Sequence, residues 1–339
     1  MTLTAQDLYL KLKNISIGNE NCKYSLEKCV SILPIINKIN QLKKEKNTLI
    51  LGHSYVSPEI LYGIADKVGD SYELSLAAKN SNADSIIFCA VKFMADTAKI
   101  LNPNKSVYIP STFNGCSLAD SITLNDIKLL KEKHPNYTFV CYINTTAEIK
   151  SECDVCVTSS NATKIIKNIS NENIYFLPDK LMGQNIINDL KKQNIKKNIK
   201  LWNGTCYVHE EYEPKLINSI KSKDNTVQII SHPECAPNII EQSDFVGSTS
   251  QIVTHVKKSI HNNFFLLTEC GLSSRMQSET PSKNFIGSCT MCKYMKANNL
   301  QDILTCLESP KVENTIEIDK DIQQKALKCI ENMFYYNNL

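Results

Sequence analysis

Thr48-Leu49-Ile50-Leu51-Gly52-His53-Ser54-Tyr55 is an apolar run that ends in a polar triplet, and that ending returns twice. It recurs as Tyr142-Ile143-Asn144 after Thr138-Phe139-Val140-Cys141, and as His232-Pro233-Glu234 after Val227-Gln228-Ile229-Ile230-Ser231. Residues 53, 142 and 232 stand 89 and 90 positions apart, and seven positions beyond each an isoleucine (Ile60, Ile149, Ile239) opens a helix-like stretch. A second register agrees. Ser/Thr turns at Gly69-Asp70-Ser71, Thr158-Ser159-Ser160-Asn161 and Gly247-Ser248-Thr249-Ser250 put Ser71, Ser159 and Thr249 at spacings of 88 and 90. A third runs through Cys116, Cys206 and Cys292, spaced 90 and 86, each after a strand-like run. Self-similarity at a fixed period marks a repeated structural unit, and three registers sharing one period mark three copies of it.

Each copy reads strand, helix, Ser/Thr turn, helix, strand, and a final strand leading to cysteine. Cores such as Ser85-Ile-Ile-Phe-Cys-Ala-Val91 and Asn263-Phe-Phe-Leu-Leu-Thr268 are continuous apolar runs of the kind buried on both faces of a parallel sheet. Helical patterns alternate with them, as in Ile252, Val253, Val256 and Ile260. This predicts an α/β chain of three pseudo-symmetric αβα sandwich domains with parallel sheets around a central active site. The expected divisions are 1–118 for the N-terminal helices and first repeat, 119–210 for the second, and 211–339 for the third with a C-terminal helix. Ligands of open α/β sheets sit at the carboxyl ends of strands, where all three registers place polar groups. Residues 1–46 read as helices, with Pro34 starting or interrupting one. Lys191 to Lys200 reads as a solvated connector, and Ala326, Leu327, Ile330, Met333 and Phe334 as the apolar face of a closing helix.

The net charge of +3 is spread thinly, without a basic block, which argues against a nucleic-acid partner. No apolar stretch reaches the about 18 residues that cross a bilayer, and the N-terminus lacks a secretory pattern. A cytoplasmic protein with no membrane partner is expected. Its 14 cysteines are then thiols or metal ligands rather than disulfides. Cys89, Cys141 and Cys156 lie within apolar strands and read as small core hydrophobes. Cys153-Asp-Val-Cys156 straddles a strand start and reads as structural.

One cysteine from each repeat, converging on one cavity, suits an iron–sulfur cluster whose remaining iron is open. Zinc with three thiolates and purely structural cysteines are the competing readings. Within Cys289-Thr-Met-Cys292 the spacing leaves either thiol as third ligand. His53, Tyr142, His232 and Glu234 at the strand ends, and His209 three residues after Cys206, are candidates for acid–base work; a lone histidine is more often a packing residue, and position is what raises these. Ser71, Ser159 and Thr249 have two readings: helix caps, or part of anion-receiving helix N-termini. No Gly-x-Gly and no Cys-x3-Cys-x2-Cys occurs, which argues against dinucleotide, P-loop and radical S-adenosylmethionine chemistry.

From Leu51 to Met295 the chain resembles the quinolinate synthase family. The matching segments include HSYVSPEI, GDSYELSLAA, GCSLAD, CYINTTAEIK, VTSSNA, FLPDKLMG, WNGTCYVHEEY, SHPECAP, FVGSTSQI, TECG and CTMCKYM. The resemblance implies a pseudo-threefold αβα fold with the active site where three domains meet. It implies condensation of iminoaspartate with dihydroxyacetone phosphate to quinolinate, phosphate and water in de novo NAD biosynthesis. An L-aspartate oxidase is the implied supplier of iminoaspartate. The implied cofactor is a [4Fe-4S] cluster on Cys116, Cys206 and Cys292, the last because Cys292-Lys-Tyr-Met295 fits the family's Cys-x-x-Met pattern. The fourth iron would be a Lewis acid. Substrate positions carried over are His53, Tyr55, Ser71, Tyr142, Asn144, Ser159, His209, His232, Glu234 and Thr249, with Glu234 as general base and Tyr55 and His53 orienting the intermediate. The segment between His53 and Ser71 is longer than in shorter family members, and Ala90 replaces a common glycine. An iron–sulfur sensor and an aconitase-type hydro-lyase are the alternatives; a sensor has no need of the acid–base set.

Overall fold

The computed structural model describes residues 3–16, 23–287 and 290–339. Three four-stranded sheets carry the chain, all of whose strand pairs are parallel. The first holds β1 (Thr48–His53), β2 (Lys67–Gly69), β3 (Ser85–Cys89) and β4 (Ser106–Tyr108). The second holds β5 (Thr138–Tyr142), β6 (Val155–Val157), β7 (Asn173–Leu177) and β8 (Asn198–Leu201). The third holds β9 (Gln228–Ser231), β10 (Phe245–Val246), β11 (Asn263–Leu267) and β12 (Asn284–Ile286). Every sheet has its second strand at one edge, then the first, third and fourth. The α/β reading with three αβα layers therefore stands.

The central strands are where the apolar runs fall. Ile50, Leu51, Ile86, Ile87, Val140, Phe176, Ile229, Ile230 and Phe264 are all fully buried, as helices on both faces of a parallel sheet require. A further repeat lies in the aspartates. The carboxylates of Asp66, Asp154 and Asp244 accept the N–H of Ile50 (2.8 Å), Phe139 (2.7 Å) and Ile229 (2.7 Å) on the neighbouring strand. Each aspartate N–H donates back to the carbonyl of that same residue, at 2.8, 2.9 and 2.8 Å. The reciprocal pair ends the edge-strand ladder and fixes its register.

Outside the sheets one expectation needs correction. Pro34 neither starts nor breaks a helix but lies inside Leu26–Glu45; one missing N–H is tolerated because Ile36 and Ile39 of that helix are buried. Helix Lys180–Lys192, anchored by buried Met182, Ile186 and Leu190, and strand β8 take the two ends of the connector Lys191 to Lys200, and every residue of it is exposed or half-buried, as a solvated face requires. The closing helix Lys320–Asn337 buries Ala326, Cys329, Ile330 and Met333 and lies on the second repeat, against Ala147–Glu152, β6 and Ala162–Asn168. Helix Leu300–Glu308 packs on Leu26–Glu45 in the first. Among the described residues no helix is long and apolar enough to cross a membrane.

Candidate active site

The three spaced cysteines share one local frame. Each is half-buried and stands at the start of a short helical turn: Ala119–Ser121 after Cys116, Tyr207–Glu210 after Cys206, Lys293–Lys296 after Cys292. Each carbonyl accepts from the residue four on, Asp120, Glu210 and Lys296, at 3.0, 3.0 and 3.1 Å. The N–H three residues on, at Ala119, His209 and Met295, is directed at the sulfur. Burial pushes all three thiols up, Cys116 to about 12, and those N–H groups work against it. A thiolate here calls for a positive centre beside it. Cys289 lies outside the described residues, so its part in the Cys289–Cys292 choice has no structural description.

The strand ends converge beside them. His53, Tyr55, Ser71, Tyr142, Asn144, Ser159, His232, Glu234 and Thr249 line one cavity of about 50 Å³, together with Asp70, Phe93, Met94, Thr158 and Met295. His209 does not line it. It stands behind Glu234, its Nδ1 3.0 Å from Oε2, and stacks on His232 at 4.7 Å. A larger cavity of about 540 Å³ lies outside, lined by sequence neighbours of the inner residues, Ser160, Asn161, Ser248 and Gln251 among them, and Asp70 lines both. Three turns thus form the wall between the two.

His53 and His232 are repeat equivalents in geometry as well as in register. Each Nδ1 accepts the backbone N–H two residues on, from Tyr55 (3.2 Å) and Glu234 (3.3 Å). Burial lowers both to about 3, so both are neutral with the proton on Nε2. Glu234 is different. Burial would raise it, but His209, His232 and the Tyr142 hydroxyl together bring it down to about 2. Tyr142 donates to Glu234 Oε1 at 2.5 Å. Burial, with Glu234 adding to it, keeps the Tyr142 proton in place, and burial does the same for Tyr55. Asn144 Oδ1 is buried in the cavity wall with no hydrogen-bond donor. Such an orphaned acceptor costs about 1–3 kcal/mol until a ligand supplies one.

The turns resolve their two readings. Asp70 caps helix Ser71–Lys79, accepting from Tyr72 and Glu73, and Ser248 caps Thr249–Lys258 in a capping box with Gln251. Ser71 and Thr249 are therefore first helical residues, not caps. The cap of Ala162–Asn168 is Asn161, not Ser159. The hydroxyls of Ser71, Ser159 and Thr249 are left to face the cavity.

Sequence reasoning gave no role to Thr268, Glu269 or Lys296. Glu269 is fully buried, accepts the Cys292 N–H at 3.3 Å and pairs with Lys296 at 3.1 Å. Lys296 also donates to the Tyr55 carbonyl at 2.5 Å, tying the Cys292 turn to the first repeat. The signal was present. Thr268 follows the third strand of its sheet, at the period of Ala90 and Pro178, whereas the polar triplets of the repeat end first strands.

Comparison with known proteins gives the family. The family model described as NadA: Quinolinate synthetase A protein matches residues 37–335. A quinolinate synthase of Clostridium novyi (strain NT) is 42% identical over 300 residues, covering 88% of this chain and 97% of the relative. One from Clostridium perfringens (strain ATCC 13124) is 43% identical over 304 residues, covering 89% and 98%. One from Sinorhizobium fredii is 37% identical over 326 residues, covering 96% and 87%. The match spans all three sheets and every residue of the cavity wall, so the chain belongs to the quinolinate synthase family.

Proposed function

We propose that the chain condenses iminoaspartate with dihydroxyacetone phosphate to quinolinate, phosphate and water, with a [4Fe-4S] cluster on Cys116, Cys206 and Cys292. The observation that carries this reading is the orphaned Asn144 acceptor and the neutral donors His53 and His232 around one cavity, beside three cysteines in one local frame. The donor set fits a cluster better than one ion. Four ligands on a single zinc at about 2.3 Å stand about 3.8 Å apart. Among the described residues the only triad of ligand atoms all within 4.8 Å of one another is Cys206, His209 and Glu234, so the three cysteines are more widely set. A cubane binds each thiolate through a different iron and spaces them accordingly. A single ion on Cys206, His209 and Glu234 is disfavoured, because His209 and Glu234 are already bonded to each other.

Bound there, the cluster would supply an open Lewis-acid position for the dehydrations. The protein's part is recognition and proton traffic. The substrates carry carboxylates and a phosphate. The N-termini of helices Ser71–Lys79 and Thr249–Lys258 offer free N–H groups and the positive end of a dipole to such anions, with Ser71, Ser159 and Thr249 adding hydroxyl donors. Nε2–H of His53 and of His232 can donate without bringing charge. Glu234 is ionised at every working pH and takes the proton lost on condensation. When Tyr142 turns its hydroxyl to substrate, Glu234 loses one of the partners that hold it down and becomes a stronger base. Closure by Tyr55 and Tyr142 keeps water from the imine. The setting that goes with this reading is cytoplasmic, with iminoaspartate supplied by an L-aspartate oxidase, and with domain divisions at 118/119 and 210/211.

The test is anaerobic reconstitution followed by assay of quinolinate from the two substrates, with electronic and paramagnetic resonance spectra taken with and without quinolinate. Glu234→Gln keeps its iron and spectrum and loses about 10²–10⁴-fold in rate, the usual cost of removing a general base. Wild-type turnover by that variant moves the base to Tyr142 or His232. A wild type that binds a cluster but forms no quinolinate leaves the sensor reading in its place.

A further inference from the structure

Glu234 and Asn144 hold the same place in their triplets, and the chain around each is gripped in the same way. In the third repeat one nitrogen, Asn185 Nδ2, donates to the carbonyls on either side of Glu234, Pro233 at 2.9 Å and Cys235 at 2.8 Å. In the second repeat one nitrogen, Lys150 Nζ, donates to the carbonyls on either side of Asn144, Ile143 at 2.8 Å and Thr145. The two donors come from different elements. Lys150 belongs to helix Ala147–Glu152, just after its own triplet. Asn185 sits on helix Lys180–Lys192 of the second repeat and reaches into the third. Both are buried, Lys150 fully, and neither lines the cavity.

We propose that Asn185 and Lys150 are positioning residues of the active site, Asn185 aiming the Glu234 carboxylate and Lys150 the Asn144 carboxamide. This rests on the quinolinate-forming reading above, in which Glu234 is the base and Asn144 Oδ1 waits for a donor. A single group bonded to the carbonyls before and after a residue spans that residue. Its side chain cannot swing out of the cavity without stretching one of the two bonds. The second triplet needs such a grip most. In the first and third, Nδ1 of His53 and of His232 already accepts the N–H two residues on. Tyr142 has no such acceptor, and its hydroxyl is turned to Glu234.

Two features separate this role from packing. Asn185 Oδ1 is buried, and among the described residues no donor reaches it. An orphaned acceptor costs free energy that a leucine at this place would not, so the amide answers to what its nitrogen holds. At Lys150 the register that aligns Ile60, Ile149 and Ile239 gives Leu61 and Ile240 in the other repeats. The fold itself therefore accepts a hydrocarbon there, whereas a buried ammonium must be stripped of water. Only the copy that carries Asn144 has the lysine.

Double-variant cycles test the assignment. Asn185→Leu and Lys150→Met keep the side-chain volume and remove the donors. In reconstituted holoenzyme both are expected to keep their iron and cluster spectrum. Asn185→Leu is expected to lose about 10–10²-fold in kcat with KM held, as misplacing a reacting group by about 1 Å does. Lys150→Met is expected to hold kcat and to raise, about 2–10-fold, the KM of the substrate whose N–H or O–H Asn144 accepts, the worth of one neutral hydrogen bond. Each loss is expected to vanish where its target is already gone: Asn185→Leu adds nothing to Glu234→Gln, and Lys150→Met adds nothing to Asn144→Ala. The crossed pairs, Asn185→Leu with Asn144→Ala and Lys150→Met with Glu234→Gln, are expected to be additive. Wild-type kinetics in either single variant, a loss undiminished in the target background, or crossed pairs that couple as strongly overturn the proposal and leave the quinolinate reading standing. If a variant fails to hold its cluster, Asn185→Ala or Lys150→Leu carries the same cycle. A wild type that forms no quinolinate takes the proposal down with the reading it rests on.

Discussion

Two groups of cysteines in this molecule are built in opposite ways. Cys116, Cys206 and Cys292 are far apart in sequence, half-buried, and each faces the N–H groups of a short helical turn. Cys141, Cys153, Cys156 and Cys329 form a compact nest between β5, β6 and the closing helix, with Cys141 Sγ 3.6 Å from Cys329 Sγ and the other two beside it. All four are buried. Burial holds Cys153, Cys156 and Cys329 above the usual thiol range. The nest looks more like a metal site, yet no three of its sulfurs lie within 4.8 Å of one another. Proximity of thiols therefore says less than the groups aimed at them. A ligand thiol needs help to become a thiolate, and a core thiol needs only apolar neighbours.

Iron binding tests that contrast most severely. Cys116→Ser, Cys206→Ser and Cys292→Ser are each expected to lose the cluster, whereas Cys153→Ser and Cys89→Ser retain it. Iron and sulfide content after anaerobic reconstitution decides the matter. An intact cluster in Cys292→Ser transfers the third position to Cys289, and a lost cluster in Cys153→Ser brings the nest into the metal chemistry.

The same contrast explains what could be read from sequence. The three-sheet fold was legible because a buried parallel strand leaves a continuous apolar run, and three runs at one period leave little freedom of topology. Nine cavity residues were legible because they end first strands or open helices, positions that periodicity marks. The nest was not, since Cys329 meets Cys141 only through the packing of the closing helix across 188 positions. Thr268 and Glu269 were missed for a related reason. They end a third strand, where the first and second repeats carry Ala90 and Pro178, and their chemistry exists only through contacts with Tyr55, His209 and Cys292. The division between capping and cavity-facing hydroxyls was also hidden, because adjacent residues such as Ser248 and Thr249 differ only in backbone conformation.

Acid sharpens the comparison next. His53 and His232 fall from 6.5 to about 3 in the folded protein, and burial is the first cause in both. The unfolded chain therefore binds more protons below pH 6.5, and stability is lost as pH falls from there toward 3. Glu234, brought from 4.5 to about 2, works in the same sense below 4.5. In the nest, Cys153, Cys156 and Cys329 stay protonated over this range in folded and unfolded chains alike, while against burial their hydrogen bonds hold Cys141 down. Cluster-free protein is expected to lose a few kcal/mol between pH 7 and 5, at up to about 1.4 kcal/mol per pH unit for each histidine. His232→Asn reduces that slope and Cys153→Ser does not. Denaturant unfolding at several pH values measures it, and a flat wild-type profile places the charged forms of both histidines comfortably in the fold.

The smallest effect divides the cavity wall itself. Asp70 and Ser248 cap helices of different repeats, and they also meet each other, the Ser248 hydroxyl donating to Asp70 Oδ2 at 3.1 Å. Asp70 Oδ1 meanwhile accepts from Tyr72 and Glu73 at 3.1 and 3.0 Å, so one carboxylate both ends a helix and fastens the first repeat to the third. Asp70→Ala and Ser248→Ala should each cost about 1 kcal/mol in stability, as lost caps do. The double variant should cost less than the sum, because the contact between them is removed by either change. Their neighbours Ser159 and Thr249 cap nothing. Ser159→Ala and Thr249→Ala are expected to unfold at nearly the wild-type denaturant midpoint while binding quinolinate more weakly, as isothermal titration to the reconstituted enzyme would record. If instead Thr249→Ala loses stability and keeps its affinity, its hydroxyl works for the fold through Tyr55, and anion recognition rests on the backbone N–H groups alone.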